Sequence, residues 1–100
     1  MEAIYKKAIE QWGVELQMTM VIEEMSELTK AICKIQRRGF RKHMDVLKVA
    51  EEMADVDIML EQLMIVMTIY GADDFRILRD EYKRSKLIRL KDMLRSDLDV

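Results

Sequence analysis

The sequence predicts an all-α protein: an antiparallel helical bundle with two long central helices. Its 100 residues include no proline and only three glycines, so few residues interrupt a helix. Half of the residues are hydrophobic and 36% are charged, and the frequent Leu, Met, Glu, Lys and Arg favour helices. One domain of this length has a modest core. We therefore expect self-association, as a homodimer or a dimer of dimers, to complete the burial, and the ten methionines suit such contact surfaces.

The glycines divide the first half of the chain into helices. A short helix is expected from Glu2 to about Trp12, ended by Gly13. A long helix then runs from about Val14 to Arg38, and Gly39 is placed to end it in a left-handed cap. A basic connection of a few residues follows, from Gly39 to Met44. Short connections between long helices favour antiparallel neighbours.

The second half is expected to contain two further helices. Asp45 is placed to cap the second long helix, which continues to Tyr70, where a glycine follows. Asp73 or Asp74 caps a last helix from about Phe75 to Arg95, and a frayed tail follows it. The whole chain, residues 1–100, is predicted to form a single domain.

Composition disfavours several classes of protein. The net charge of −2 gives no reason to expect nucleic-acid binding. No apolar run approaches the roughly 20 residues of a membrane span, and the first residues lack the apolar core of a secretion signal. Cys33 is the single cysteine, which precludes an intrachain disulfide. We expect a soluble, cytoplasmic protein without nucleic-acid or membrane partners.

Two acidic clusters stand out within the long helices. Each contains two carboxylates three residues apart: Glu24 with Glu27, and Glu52 with Asp55. Residues at this spacing share a helix face. Within about 60° of these acids lie mostly apolar residues: Met20, Val21, Leu28 and Ala31 in the first helix, and Val49, Val56, Met59, Leu63 and Val66 in the second.

Carboxylates on an apolar face are expected to point into the bundle. Such negative charge requires neutralisation, and a hard divalent cation suits carboxylate oxygens. Glu23 and Glu51 point about 100° away from their neighbours, so a solvated or supporting position is expected for them.

The ordered pair of motifs resembles the MazG-like all-α nucleoside triphosphate pyrophosphohydrolases. The resemblance rests on Glu24-x-x-Glu27 and Glu52-x-x-Asp55, each preceded by a further glutamate, and covers about Trp12 to Leu90. It extends to Trp12-Gly13 and Gln17, to Ala54-Asp55-Val56 and Ile58-Met59-Leu60, and to the basic stretch from Tyr82 to Leu90.

The resemblance implies hydrolysis of a nucleoside triphosphate to its monophosphate and pyrophosphate, in nucleotide-pool housecleaning. It implies that Glu24, Glu27, Glu52 and Asp55 are the catalytic residues and ligate Mg2+, with Mn2+ as the alternative. The sequence offers no plausible Ser/His or Cys/His pair, which favours direct attack by water. Glu23, Glu51 or a metal ligand remain possible general bases.

Four further residues are predicted to contact substrate. Lys83 interrupts an apolar stripe of the last helix and is the first choice for phosphate, followed by Arg84; either side chain can instead reach solvent. Gln17 offers a donor and an acceptor to a base edge, and Trp12 offers a ring for stacking or for helix packing. Four basic residues near the first connection either close over the phosphates or, as the favoured expectation, form a solvated helix end: Arg37, Arg38, Arg41 and Lys42.

Three competing functions remain. One is a helical dimerisation module whose acidic pairs form salt bridges with Lys and Arg across an interface. Another, within the same superfamily, is a phosphoribosyl-ATP pyrophosphohydrolase. A di-iron bundle is disfavoured because it uses Glu-x-x-His pairs, whereas the only histidine, His43, falls in the predicted connection and reads as a surface residue.

Overall fold

A computed structural model of the protein describes residues 1–95. Over that range the chain forms four α-helices and no strand, which confirms the all-α prediction. The helices are α1 (Glu2–Trp12), α2 (Val14–Arg38), α3 (His43–Tyr70) and α4 (Phe75–Met93). Among them, α2 packs most against α3. The tail that the sequence predicts to fray lies outside the described residues.

Two compact units divide the chain, Met1–Val66 and the residues from Met67 onward. The first unit contains α1, α2 and most of α3, and it contains both acidic clusters. The second contains the end of α3 and all of α4. From Arg76 to Arg95 every side chain is exposed, including the apolar Ile77, Leu87 and Met93. No helix in the described range is long and apolar enough to cross a membrane.

Glycines end the first two helices as predicted. Gly13 has φ 84° and ψ 158°, and Gly39 has φ 77° and ψ −166°. These combinations are essentially restricted to glycine, and the ψ of Gly39 differs from that of a left-handed helical cap. The Gly39 amide donates a hydrogen bond to the Ile35 carbonyl at 2.7 Å. This conformation is not helical, and glycine adopts it more readily than other residues do, so α2 ends at this position.

The apolar core of the first unit joins α1 to α3. Ile9 packs with Ile65 and Val66, and Tyr5 and Val14 lie against this cluster. A hydrogen bond with Glu61, together with desolvation of the ring hydroxyl and the charge of Glu61, raises the pKa of Tyr5. This contact between α1 and α3 is therefore polar at its edge and apolar at its centre.

The predicted inward faces of α2 and α3 are confirmed. On α2, Val21 and Ala31 are buried; on α3, Val56, Met59 and Val66 are buried. The remaining apolar residues of both stripes are half-buried: Met20, Leu28, Val49 and Leu63.

Helix α3 begins earlier than the sequence predicted. It starts at His43, which is therefore the first helical residue rather than part of the connection. Asp45 is not the N-cap: it is buried in the first turn and forms ion pairs with Lys34 at 3.9 Å and Arg38 at 3.6 Å. Charge attraction across the α2–α3 contact thus acts on this side chain, whose Oδ2 accepts no hydrogen bond from the described residues.

Helix α4 also differs slightly from the prediction at its ends. Asp74 is the N-cap residue, as one of the two predicted alternatives, but its side chain makes no capping hydrogen bond. The helix ends at Met93, two residues before the predicted Arg95. Such differences are within the usual spread of helix boundaries.

Candidate metal centre

Three carboxylates from two helices meet within the first unit. Glu24 of α2 and Glu52 and Asp55 of α3 each place one oxygen within 4.8 Å of the others. Glu52 is buried, with 5% of its surface exposed, and Glu24 and Asp55 are half-buried. The sequence predicted that these side chains face inward, and the structure brings them together.

The antiparallel pairing of α2 and α3 sets this geometry. The ion pairs of Asp45 with Lys34 and Arg38 fix one end of the pairing. Moving toward the start of α2 and toward the end of α3 from that point reaches Glu24 on one helix and Glu52 on the other. Because both helices are regular, the pairing of Lys34 with Asp45 places Glu24 and Asp55 at one level about three turns away.

The surroundings of Glu24 in the cluster raise the pKa of its carboxyl group. Desolvation by burial raises its pKa most, and the negative charges of Asp55, Glu52, Glu27 and Glu23 raise it further. Both causes disfavour the ionised carboxylate. A cation bound among these oxygens would reverse the effect, because an opposite charge favours ionisation.

Lys48 is the cation closest to the buried carboxylate. Its ammonium lies 2.9 Å from Glu52 Oε1 and 3.1 Å from Glu51 Oε1, one turn along the same helix. These hydrogen bonds and the two negative charges raise the pKa of Lys48 well above its usual value. Part of the negative charge of the site is therefore already balanced from within α3.

Glu27, the fourth predicted ligand, lies outside this group of three carboxylates. It is exposed and forms an ion pair with Lys30 at 3.9 Å. Glu23 and Glu51 are exposed, as expected for residues directed away from their neighbours. The geometry thus favours Glu24, Glu52 and Asp55 as the primary set, with Glu27 at the margin.

The predicted substrate residues occupy different surroundings. Gln17 is buried, with 2% of its surface exposed, and neither polar atom of its amide has a hydrogen-bond partner among the described residues. Trp12 is half exposed and lines a cavity along α1 with Ile4. Lys83 and Arg84 are exposed on α4, in the second unit.

Two charged residues of α3, Lys48 and Asp45, have ion-pair partners that were not predicted from the sequence. Lys48 precedes Glu52 by four residues, a spacing that signals a helical ion pair. Asp45 was interpreted as a cap, although its position opposite basic Lys34 and Arg38 becomes apparent only once the helices are paired. The pair of Lys48 with Glu52 could have been predicted from spacing alone. The contacts of Asp45 could be recognised only from the packing of α2 against α3.

Comparison of the chain with protein-family models, curated proteins and solved structures finds no match.

Replacing Glu24 with Gln is expected to stabilise the fold in the presence of a chelator at pH 7. The amide removes a charge that burial and its acidic neighbours disfavour. Because the pKa of Glu24 is raised in the folded state, protonation favours folding, and stability falls as pH rises through that pKa. The gain in melting temperature should therefore shrink as pH falls, and it should shrink in high salt.

Thermal melts at several pH values test this expectation, with Glu10→Gln as the control. Glu10 is exposed on α1 and loses the same charge without belonging to the cluster. An equal gain in the control would attribute the effect to net charge. A loss of stability on Glu24→Gln would contradict the repulsion argument.

Proposed function

We propose that this protein is a Mg2+-dependent nucleoside triphosphate pyrophosphohydrolase that acts in nucleotide-pool housecleaning. The observation that carries the proposal is the convergence of Glu24, Glu52 and Asp55 from two helices to within 4.8 Å. The order of the acidic motifs along the chain, which resembles the MazG-like enzymes, supports the same activity.

The donor set suits a magnesium-like ion. It consists of carboxylate oxygens alone, which are hard ligands. Oxygen ligands of Mg2+ lie about 2.1 Å from the ion, so two of them are at most roughly 4.2 Å apart. Closing the group from within 4.8 Å to that range would require only small side-chain rotations. Mn2+ is expected to substitute because it accepts the same ligands.

The chain's own residues would bind and orient the ion and the substrate. Glu24, Glu52 and Asp55 hold the ion, which supplies charge neutralisation and activation of water when bound. Glu27, at the margin of the group, lies about one turn before Lys30 and two turns before Lys34 on α2, and all three line one cavity. In the net reaction, the oxygen of water bonds to either the α or the β phosphorus. The bond from that phosphorus to the oxygen bridging the two breaks, the water proton passes to solvent, and monophosphate and pyrophosphate leave.

Self-association and cytoplasmic location belong to the same proposal. Apolar side chains remain exposed on α3 outside its inward face, among them Met53 and Leu60. A second copy of the chain would bury such residues, and homodimers and homotetramers are both compatible with this surface. Since the proposed substrate belongs to the nucleotide pool, we expect the protein to act in the cytoplasm.

The proposal is tested by a panel of canonical and modified nucleoside triphosphates, with phosphoribosyl-ATP included. Each is incubated with Mg2+ and scored for pyrophosphate release, and the same reactions in EDTA serve as controls. We expect at least one triphosphate to yield its monophosphate and pyrophosphate only with the metal. Release of inorganic phosphate instead, or no metal-dependent turnover of any compound, would contradict the proposal. Turnover of phosphoribosyl-ATP alone would select the alternative within the superfamily.

A helical interaction module is the second candidate. The observation in its favour is that lysines already neutralise two of the acids without a metal, Glu52 by Lys48 and Glu27 by Lys30, here within the chain rather than across an interface. An interaction module requires no added cation. The two candidates differ in a melting experiment: the enzyme is stabilised jointly by Mg2+ and nucleotide through linkage, whereas the module is not.

A further inference from the structure

A second feature of the first unit is a basic cavity beside the carboxylates. Its volume is about 490 Å³, and it lies along α2 from Glu27 to Arg37, with one contribution from α3. Four of its lining side chains are cationic: Lys30, Lys34, Arg37 and Lys48. Glu27 is the single acidic residue of the lining. The cavity is therefore suited to an anion carrying several negative charges.

Two of these cations, Arg37 and Lys30, are only weakly engaged within the chain. The Arg37 guanidinium has no ion pair or hydrogen bond among the described residues. Lys30 and Lys34 each reach a carboxylate at 3.9 Å, near the outer limit of an ion pair, and their side chains are 75% and 46% exposed. An ion pair between two exposed side chains, as for Lys30 and Glu27, contributes little to stability. Lys30 and Arg37 are consequently available to a bound anion, whereas Lys34 also faces the buried carboxylate of Asp45.

Lys48 connects the cavity to the carboxylates. It lines the cavity and also contacts Glu52, one of the three converging acids, at 2.9 Å. Glu27 likewise lines the cavity and lies one turn from Glu24. The basic cavity and the acidic group are thus adjacent parts of one surface, with opposite charge.

We propose that this cavity is a polyphosphate-binding site, which holds the phosphate chain of the substrate beside the carboxylates. The inference rests on the proposed function and names the phosphate contacts on α2 and α3. A triphosphate chain carries three to four negative charges, and the cavity volume falls within the usual range for a small ligand. Arg37 binds phosphate oxygens through its planar fork, and the lysines act as point charges.

Lys48 changes partner in this arrangement. A divalent cation at Glu52 competes with the Lys48 ammonium for the same carboxylate, since both neutralise it. The displaced ammonium already lines the cavity, so it turns to the phosphate chain without a change in α3. Metal and phosphate binding are therefore expected to reinforce each other.

The test measures binding of inorganic tripolyphosphate by calorimetry in EDTA at low ionic strength, where no metal-dependent turnover occurs. The variant is Lys30→Gln/Arg37→Gln, which spares Lys34 and its contact with Asp45. The control is Lys6→Gln/Arg41→Gln, which removes the same two charges from exposed positions outside the cavity. Circular dichroism melts verify that both variants fold.

We expect the cavity variant to weaken tripolyphosphate binding at least tenfold and the control to stay within twofold of the original chain. ATP should lose the same factor as tripolyphosphate, because the shared ligand is the phosphate chain. Equal weakening in the control, unchanged binding in the cavity variant, or no binding by the original chain at millimolar concentration would overturn the inference. Since no metal is present, these outcomes are independent of whether any triphosphate is hydrolysed.

Discussion

Glu52→Gln and Asp55→Asn are each expected to lower triphosphate turnover by at least a hundredfold while leaving the helical content unchanged. Each substitution keeps the shape of the side chain and removes one charged oxygen donor from the group of three. Loss of a metal ligand, or of the charge that it supplies at the reacting atoms, typically has an effect of this size. Glu52 is the buried member, so its substitution is expected to be the more severe.

Two measurements separate a lost metal site from a damaged fold. Calorimetry with Mn2+ should show weakened binding in both variants, and circular dichroism should show unchanged helicity. Asp57→Asn is the matched control on α3, because Asp57 is exposed and lies outside the acidic group. Full turnover in Glu52→Gln and Asp55→Asn would remove the proposed metal site. Lost turnover with normal Mn2+ binding would place the two acids in a different role.

The helices themselves followed from local sequence. Glycines at positions 13 and 39 adopt backbone conformations closed to most residues, so two helix ends could be placed to the residue. The inward direction of Glu24 and Glu52 followed from helical periodicity, because a 3.6-residue repeat fixes which side chains share a face.

The start of α3 and the partners of the acids could not be obtained in this way. Asp45 is of a residue type that favours helix caps, yet it lies in the first turn of α3, buried and paired with Lys34 and Arg38 of α2. That contact joins residues distant in sequence, and periodicity carries no information on the pairing of two helices. Glu27 follows Glu24 by three residues, just as Asp55 follows Glu52, yet Glu27 lies outside the convergent group. The way in which α2 and α3 pack decides which of these carboxylates come close together.

The basic cavity was only partly anticipated, for a related reason. A solvated helix end was preferred for Arg37 over closure on the phosphates, because positive charge at a helix C-terminus interacts favourably with the helix dipole. The structure places it with Lys48 from α3 around one cavity. Charges that appear unrelated along the chain become a site only when the two helices are antiparallel.

Gln17→Met is expected to stabilise the fold and to weaken binding of the nucleotide. The Gln17 side chain is buried, and both its polar atoms lack partners among the described residues. An unsatisfied buried amide costs about 1–3 kcal/mol. Methionine has a similar length and no amide, so its introduction should recover part of that cost. For a domain of this size, about 1 kcal/mol corresponds to a rise of roughly 4–8 °C in melting temperature.

The position of Gln17 beside the acidic group would suit its buried amide to the proposed recognition of a substrate. Glu24 lies opposite Glu52 and Asp55, and a shift of two turns along both antiparallel helices places Gln17 at the level of Met59 and Gln62. Gln62 is also buried, and its carbonyl oxygen is likewise unpartnered. Two amides held in an apolar layer offer donors and acceptors suited to the edge of a base.

Melting curves and steady-state kinetics decide between recognition and packing. If Gln17 reads the base, Gln17→Met should raise the melting temperature and raise KM about tenfold, with kcat little changed, because the lost contact exists equally in ground and transition states. Gln36→Met is the control, since Gln36 is exposed on the same helix. A higher melting temperature with unchanged KM would make Gln17 a packing residue. A lower melting temperature would show that its amide is satisfied in solution, and the cost argued for it would not exist.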